Sequence, residues 1–381
     1  MRVYFDRHMR QISMGEEFVE YDNRQVSMVL HKYPEILGDI LHAIGQTYLH
    51  RTGNGSLVPV LDRRARVLAR LRTTKNPIYN LESMLLMVCG LCALELLDTR
   101  PDADGSSIPV FVAYAAALVS QSAQLGLQIS PLARFLVRSV ARQDMIIALM
   151  KRRRPLVKST AWLDDDARRS ADRFMGYTMT FMPLLEELST LAEEVKQRYT
   201  TLRITNGEQG SSNLQMLSPD QLYRFSYRSN DLRARIDAWR PVLPPSSSFR
   251  SSQKFFLQAY AYRSAALLYL HHLLYPPQSS SEADDVALNM AYDVMSHLHG
   301  TDAEMRMFLW PTFVAGCELK DDEDRSTILD VLEKIYRGRG LTTVLRTRMF
   351  LRDRVWKAMD DGEYWNWTSL IDSYPGELTP L

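Results

Sequence analysis

Cysteine is scarce in this chain: Cys89, Cys92 and Cys317 are the only three. So small and odd a number excludes a disulfide framework and fits a reducing compartment. An excess of either charge is missing too. The 46 basic and 45 acidic residues leave a formal charge of +1, whereas a surface devoted to nucleic acid is markedly basic. The opening stretch, MRVYFDRHMRQISMGEEF, mixes both charges and holds no apolar signal core, so secretion is not expected. Clean apolar runs of the about 20 residues that a bilayer requires are lacking. Residues 84–97 fall short and carry Glu95, and residues 255–274 are interrupted by Gln258, Arg263, His271 and His272. No glycine-rich phosphate loop, His-Glu-x-x-His helix or Ser-His-Asp arrangement of recognisable context occurs. Enzymes that depend on those motifs are thereby excluded. Catalysis that only encloses and orients an apolar substrate is not.

What is present is an apolar fraction of 46% with 10% aromatics, enough for a substantial core. Helical periodicity dominates. Residues 34–49 place Ile36, Leu37, Ile40, Leu41 and Ile44 at the three-four spacing of one buried face, and Pro34 suits a first helical turn. The pattern predicts further helices at 63–71, 80–97, 110–125, 131–150, 164–199, 219–239, 252–274 and 282–299. Strand-like alternation is confined to 57–61. Polar stretches rich in turn residues predict mobile loops near 201–218, 241–252 and 275–285. No period of solenoid length repeats. The expected fold is all-α, a single large helical domain over 1–381 built of packed antiparallel helix pairs.

The stretch 309–356 is the most distinctive. Trp310-Pro311 opens an apolar turn of helix that closes on Gly316, Cys317 and Glu318. An acidic run with Asp324-Arg325 follows, then a helix, a glycine break at Gly338 and Gly340, and a second helix ending in Val355-Trp356. That order resembles the C-terminal signature of the fungal-specific transcription factor domain, the large helical regulatory domain of fungal zinc-binuclear-cluster regulators. Other stretches are similar to the same family in the same order. They are the proline-led helix at 34–49, the apolar helices within 84–125, and the segment 142–155 with Asp144 in the place of an embedded acid. DRFMGYTMTFMPLLEELSTL at 172–191 and AYRSAALLYLHHLL at 261–274 continue the series, so the likeness runs from Tyr4 to Tyr374. The resemblance implies a helical domain that responds to a metabolite or partner, in a protein whose DNA binding resides in a separate zinc cluster. Such a cluster takes six closely spaced cysteines around two zinc ions, which Cys89, Cys92 and Cys317 cannot supply. Either the DNA-binding part lies outside this stretch of chain, or a paralogue has lost it.

Several groups invite chemistry. Cys89-Gly90-Leu91-Cys92 has the spacing of a metal or redox pair, but it has no second pair and its neighbours are apolar, as for small buried thiols. His271-His272 and His297-Leu298-His299, with Glu304 nearby, invite zinc, yet adjacent and alternate helix positions face apart. No metal is expected. The basic run 151–158 either complements the negative end of a helix or serves as a nuclear localisation signal. Asp144, set among Met145, Ile146, Ile147 and Leu149, is either a base of raised pKa or the partner of an arginine such as Arg138, Arg142 or Arg173. Aromatic and methionine side chains gather in the C-terminal third, where they either fill the core or line an adaptable apolar cavity. That cavity is expected between the 254–274 helix and the 310–356 hairpin. Tyr262, His271, Met307, Trp310, Phe313, Cys317 and Trp356 are its expected ligand-binding residues.

These readings favour a ligand- or partner-responsive regulatory domain, linked to secondary metabolism and needing no cofactor. A lipophilic small molecule would favour one packing of its helices. A protein partner or a homodimer is compatible with this; direct nucleic-acid binding by the chain and a membrane span are not expected. The expected location is the nucleus or cytoplasm. The alternative is a paralogue acting as a cofactor-independent cyclase or isomerase that folds an apolar substrate in the same cavity, with no catalytic residue singled out. A helical interaction scaffold with an exposed apolar groove is a third reading.

Overall fold

Proline opens helix after helix. Pro34, Pro59, Pro77, Pro109 and Pro131 each stand in a first helical turn, where a missing N–H is one that would go unpaired anyway. Ser130 and Ser280 add side-chain caps, accepting the amides of Ala133 and Ala283 at 3.1 Å. In the computed structural model, short helical turns at Tyr4–His8 and Met9–Ile12 lead into α1 (Glu16–Lys32), α2 (Pro34–Arg51), α3 (Val58–Thr73) and α4 (Leu81–Leu97). Next come α5 (Ile108–Gln124), α6 (Pro131–Lys151), α7 (Met182–Asn206), α8 (Pro219–Ala238) and α9 (Phe249–Leu274). The chain closes with α10 (Ser281–Ser296), α11 (Leu309–Gly316), α12 (Asp322–Arg339), α13 (Thr342–Phe350), a π-helical turn at Leu351–Trp356, α14 (Lys357–Asp360) and α15 (Trp367–Asp372). The structure describes all residues except 13–15, 99–105, 173, 207–218, 244–248, 299–307, 375–377, 379 and 381. Among the described residues no strand forms, and the fold is all-α as the periodicity predicts.

The packing is organised around α4. Its sequence LESMLLMVCGLCALELL has no polar face, and a helix apolar all round is buried all round. It packs against α2, α3, α5 and α6. The approach of α2 depends on Gly90, since a β-carbon there would fall 2.6 Å from Ile40. With the preceding turn Pro77–Asn80, α4 forms a 21-residue apolar helix. By length and composition alone this helix could cross a membrane; in the fold, 67% of its apolar window is buried, as in a core helix.

From α6 the contacts pass into the second half of the chain. α6 lies against α7, α9 backs onto α8, α10 and α11, and α11 meets α12. Tyr269 on α9 donates its hydroxyl to the Leu149 carbonyl of α6 at 2.6 Å. Short connections between packed neighbours, as in α2/α3 and α9/α10, make antiparallel pairs. The buried apolar residues form one continuous cluster from Tyr4 to Leu378.

Three local expectations change. Residues 57–61 enter helix rather than strand, because Pro59 sits in the first turn of α3. The helix expected over 164–199 is interrupted between Arg168 and Met182. Asp172 there accepts the amides of Phe174 and Met175 at 2.9 and 3.0 Å and the Arg138 guanidinium at 2.6 Å. Gly176 completes this knot with a φ of 54°, a left-handed conformation that favours glycine. The loop expected at 275–285 ends early, since Ser280 caps α10 and residues 281–285 are its first turns. Residues 201–206 continue α7 and 249–252 open α9, while 207–218 and 244–248 lie outside the described residues.

Carboxylates tied into this frame give it an acid limb. At Glu82 burial alone would raise the pKa, but hydrogen bonds from Lys32, Ser130 and Tyr33 outweigh it and hold the group below its usual value. At Asp39 burial is likewise outweighed, by Arg66, Arg63 and Arg70. Asp164 is lowered by the Ala167 amide and by Arg134. Such groups bind protons less readily folded than unfolded, so their stabilisation is complete above about pH 4 and lost as pH falls through their folded pKa values. Asp144 runs the other way, its carboxyl pushed up by burial against the pull of Arg153 and two amides. The melting temperature is expected to fall steeply below about pH 4, and Glu82→Gln to flatten that limb. Thermal melts across the acid range check this; a wild-type curve indifferent to pH there would contradict it.

Candidate functional site

A cavity of ≈ 190 Å³ opens beside α4. Its walls follow helical spacing. α4 supplies Leu86, Cys89, Gly90, Ala93 and Leu97, three and four residues apart on one face. α6 supplies a matching stripe of Leu132, Phe135, Leu136, Ser139, Arg142 and Gln143. Leu37, Ile40, Leu41 and Ile44 come from α2, and Gln25, Val26 and Val29 from α1. Leu96, Tyr4, His8, Phe174 and Leu341 complete the lining. The wall on α4 includes the small Cys89 and Ala93, while the place of a Gly90 side chain is taken by Ile40. An apolar cavity of about 150 Å³ admits benzene, so this one has room for a single ring with a short substituent.

The polar groups of the cavity gather on α6. Arg142 donates to the Tyr262 hydroxyl at 3.3 Å. Gln143 places its Nε2 3.4 Å from the Ser139 carbonyl, while its Oε1 is buried without a hydrogen-bond partner among the described residues. Elsewhere on the wall, His8 Nδ1 lies 2.9 Å from the Tyr48 hydroxyl. Among the described residues no aspartate or glutamate lines the cavity.

The residues expected around a ligand lie in the other half of the molecule. Tyr262, His271, Trp310, Phe313, Cys317 and Trp356 are all buried, and none lines this cavity; Met307 lies outside the described residues. The structure brings Tyr262 and Trp310 together, with ring centroids 5.4 Å apart, and sets Phe313 edge-on to Trp367 at 5.5 Å. Trp356 donates its indole N–H to the Gly316 carbonyl at 2.8 Å and carries the Arg325 guanidinium 5.4 Å over its ring. His271 Nε2 meets the Ala283 carbonyl at 3.0 Å, and burial pulls its pKa down. Burial pushes the Cys317 thiol well up, which keeps it protonated. Ala259, Ala261, Ala265 and Ala266 on α9, with Ala315 and Gly316 on α11, are fully buried or nearly so. α9 and α11 pack against each other, and a β-carbon at Gly316 would meet Leu351 and Ile328.

The remaining candidates resolve into structural roles. Cys92 is buried in the core while Cys89 reaches the cavity wall, so α4 directs the two thiols to different surroundings. His272 Nε2 pairs with the Glu318 carboxylate, and His297 lies against Tyr260 at 5.9 Å. His299 and Glu304 lie outside the described residues. Among the described residues no three His, Cys, Asp or Glu side chains converge as a metal site requires. In the basic run, Arg152 pairs with Asp372, Arg153 with Asp144 at 2.7 Å, and Arg154 with Glu193 at 2.8 Å. The partner of Asp144 is therefore Arg153. Arg138 is taken by Asp172, Arg142 by Tyr262, and Arg173 lies outside the described residues. Arg152 adopts a left-handed backbone at φ 50°, which ends α6 and turns the following residues back over Asp144. The wall stripe on α4 and α6 is absent from the sequence-based candidates; the small residues Cys89 and Ala93 within an otherwise bulky apolar helix are the signal that marks it.

The fungal specific transcription factor domain family matches residues 41–376, from within α2 to beyond α15. No curated protein and no solved structure matches the chain. With most of the cavity wall and the whole Trp310–Trp356 segment inside that span, the chain belongs to the fungal-specific transcription factor domain family.

Proposed function

We propose that this chain is the regulatory domain of a fungal transcription regulator, working in the nucleus and governed by an apolar small molecule that enters the cavity beside α4. Family membership supports the regulatory role. The observation that carries the ligand reading is the cavity itself, whose walls come from α1, α2, α4 and α6 together. A molecule seated there touches four helices at once. If it binds one arrangement of them more tightly than another, it shifts their populations by that difference in affinity. α6 conveys the shift, since its far end is tied to the rest of the chain through Asp144 and the Tyr269–Leu149 hydrogen bond. The apolar lining favours lipophilic metabolites of the kind secondary metabolism supplies.

Ala93 stands half-buried on the cavity wall, and Ala93→Phe puts a ring into the space a ligand would take. A ligand at about a hundredfold excess over Kd stabilises its binder by about 2.7 kcal/mol. A panel of apolar metabolites is expected to contain members that raise the wild-type melting temperature and leave Ala93→Phe unmoved, read by thermal shift and native mass spectrometry. In a reporter assay with the domain fused to a heterologous DNA-binding module, Ala93→Phe should uncouple output from ligand. Absence of binding across the panel, or equal binding by the filled variant, would count against the reading.

A further inference from the structure

We propose that the cavity takes an apolar carboxylic acid in its anionic form, with Arg142 as the partner of the carboxylate; this rests on the ligand-cavity reading above. Four other half-buried arginines are each paired with a carboxylate. Arg63 pairs with Asp39 at 2.9 Å, Arg64 with Glu95 at 2.7 Å, Arg138 with Asp172 at 2.6 Å and Arg153 with Asp144 at 2.7 Å. Arg142 is half-buried too, yet among the described residues its polar partner is the neutral Tyr262 hydroxyl, at a long 3.3 Å. A guanidinium has five donors in a planar fork suited to a carboxylate, and holding it out of water without a counter-charge is costly. Among the described residues that line the cavity it borders, none is an aspartate or glutamate.

The neighbouring wall fits the same head group. Gln143 follows Arg142 on the α6 stripe, and its Oε1 is buried without a hydrogen-bond partner among the described residues. Rotation of the Gln143 side chain away from its long 3.4 Å contact with the Ser139 carbonyl would let Nε2 serve as a second donor to the carboxylate. The apolar side chains of α2 and α4 then enclose a ring and short tail, which is what ≈ 190 Å³ holds. The position of Arg142 also gives the anion a route outward. Its guanidinium donates to the Tyr262 hydroxyl, and the Tyr262 ring packs tilted against Trp310 with centroids 5.4 Å apart. A carboxylate drawing Arg142 toward the cavity releases Tyr262 and so reaches the first tryptophan of the C-terminal signature.

The test compares phenylpropanoate with phenylpropanol, an acid and an alcohol sharing one apolar body, by calorimetric titration at neutral pH. The wild-type chain is expected to bind the acid about tenfold more tightly, the yield of one charge-assisted hydrogen bond. Arg142→Met should abolish that preference while keeping its affinity for the alcohol, which also shows that the variant is folded. Arg142→Lys retains the charge and should retain a reduced preference. Equal binding of acid and alcohol by the wild type, or a preference that survives Arg142→Met, overturns the head-group assignment and leaves the cavity reading standing. If neither probe binds the wild type, the cavity reading falls and this inference falls with it.

Discussion

Asp144→Ala is expected to lower the free energy of unfolding by about 3–5 kcal/mol, the usual loss when one partner of a buried charge pair is removed. The carboxylate is fully buried. One oxygen accepts from Arg153 at 2.7 Å, and the other accepts the amides of Leu156 and Val157, the latter at 2.8 Å. Alanine would orphan all three donors and free the segment that turns back from the end of α6. Asp144→Asn keeps one acceptor for the amides but gives up the charge, and an intermediate loss of about 1–3 kcal/mol follows from a weakened buried hydrogen-bond set. Urea denaturation of the two variants, with Arg153→Ala to close a double-mutant cycle, measures the pair. A loss below about 1 kcal/mol for Asp144→Ala would mean that water replaces the carboxylate at no cost, contrary to its burial.

Helical class was legible from the sequence because α2 and α6 announce themselves by period and by proline at their starts, and α4 by its nearly unbroken apolar run. Element ends were legible where a cap or a glycine fixes them, as at Ser130 and Gly340. The interruption between Arg168 and Met182 was hidden for a physical reason. Its knot is made by a long-range pair, Arg138 with Asp172, and by a glycine whose β-carbon position is filled by Gln258 from α9. Neither partner stands near it in the sequence. The same is true of Asp144, whose arginine follows the helix end instead of sharing the helix.

The cavity was less legible than the fold. Most lining residues are ordinary apolar positions of helices, and the void is formed where four helices distant in sequence meet. Aromatic density pointed to the C-terminal third instead. There the rings of Trp310, Phe313 and Trp356 are buried, and none of them lines the cavity beside α4. Bulk in a sequence signals volume, and whether that volume is filled depends on the residues opposite.

Trp356 shows what the distinctive C-terminal stretch does in the fold, and Trp356→Ala is expected to cost about 3–5 kcal/mol, the range for a large buried aromatic side chain. The π-helical turn Leu351–Trp356 carries the indole to the end of α11, where its N–H reaches the Gly316 carbonyl at 2.8 Å. Arg325 lies over the ring and in turn binds the Leu319 carbonyl at 3.1 Å and Asp360 at 2.8 Å. One ring thus holds α11, α12 and α14 together. Trp356→Phe keeps an aromatic face for Arg325 but leaves a buried carbonyl unpaired, so a loss of about 1–3 kcal/mol is expected. Because the tryptophan stands apart from the lining of the α4 cavity, Trp356→Phe should leave the affinity for a cavity ligand within about twofold of wild type while lowering the unfolding midpoint. A variant that keeps its stability but loses ligand binding would reverse the assignment and place the ligand against Trp356 itself.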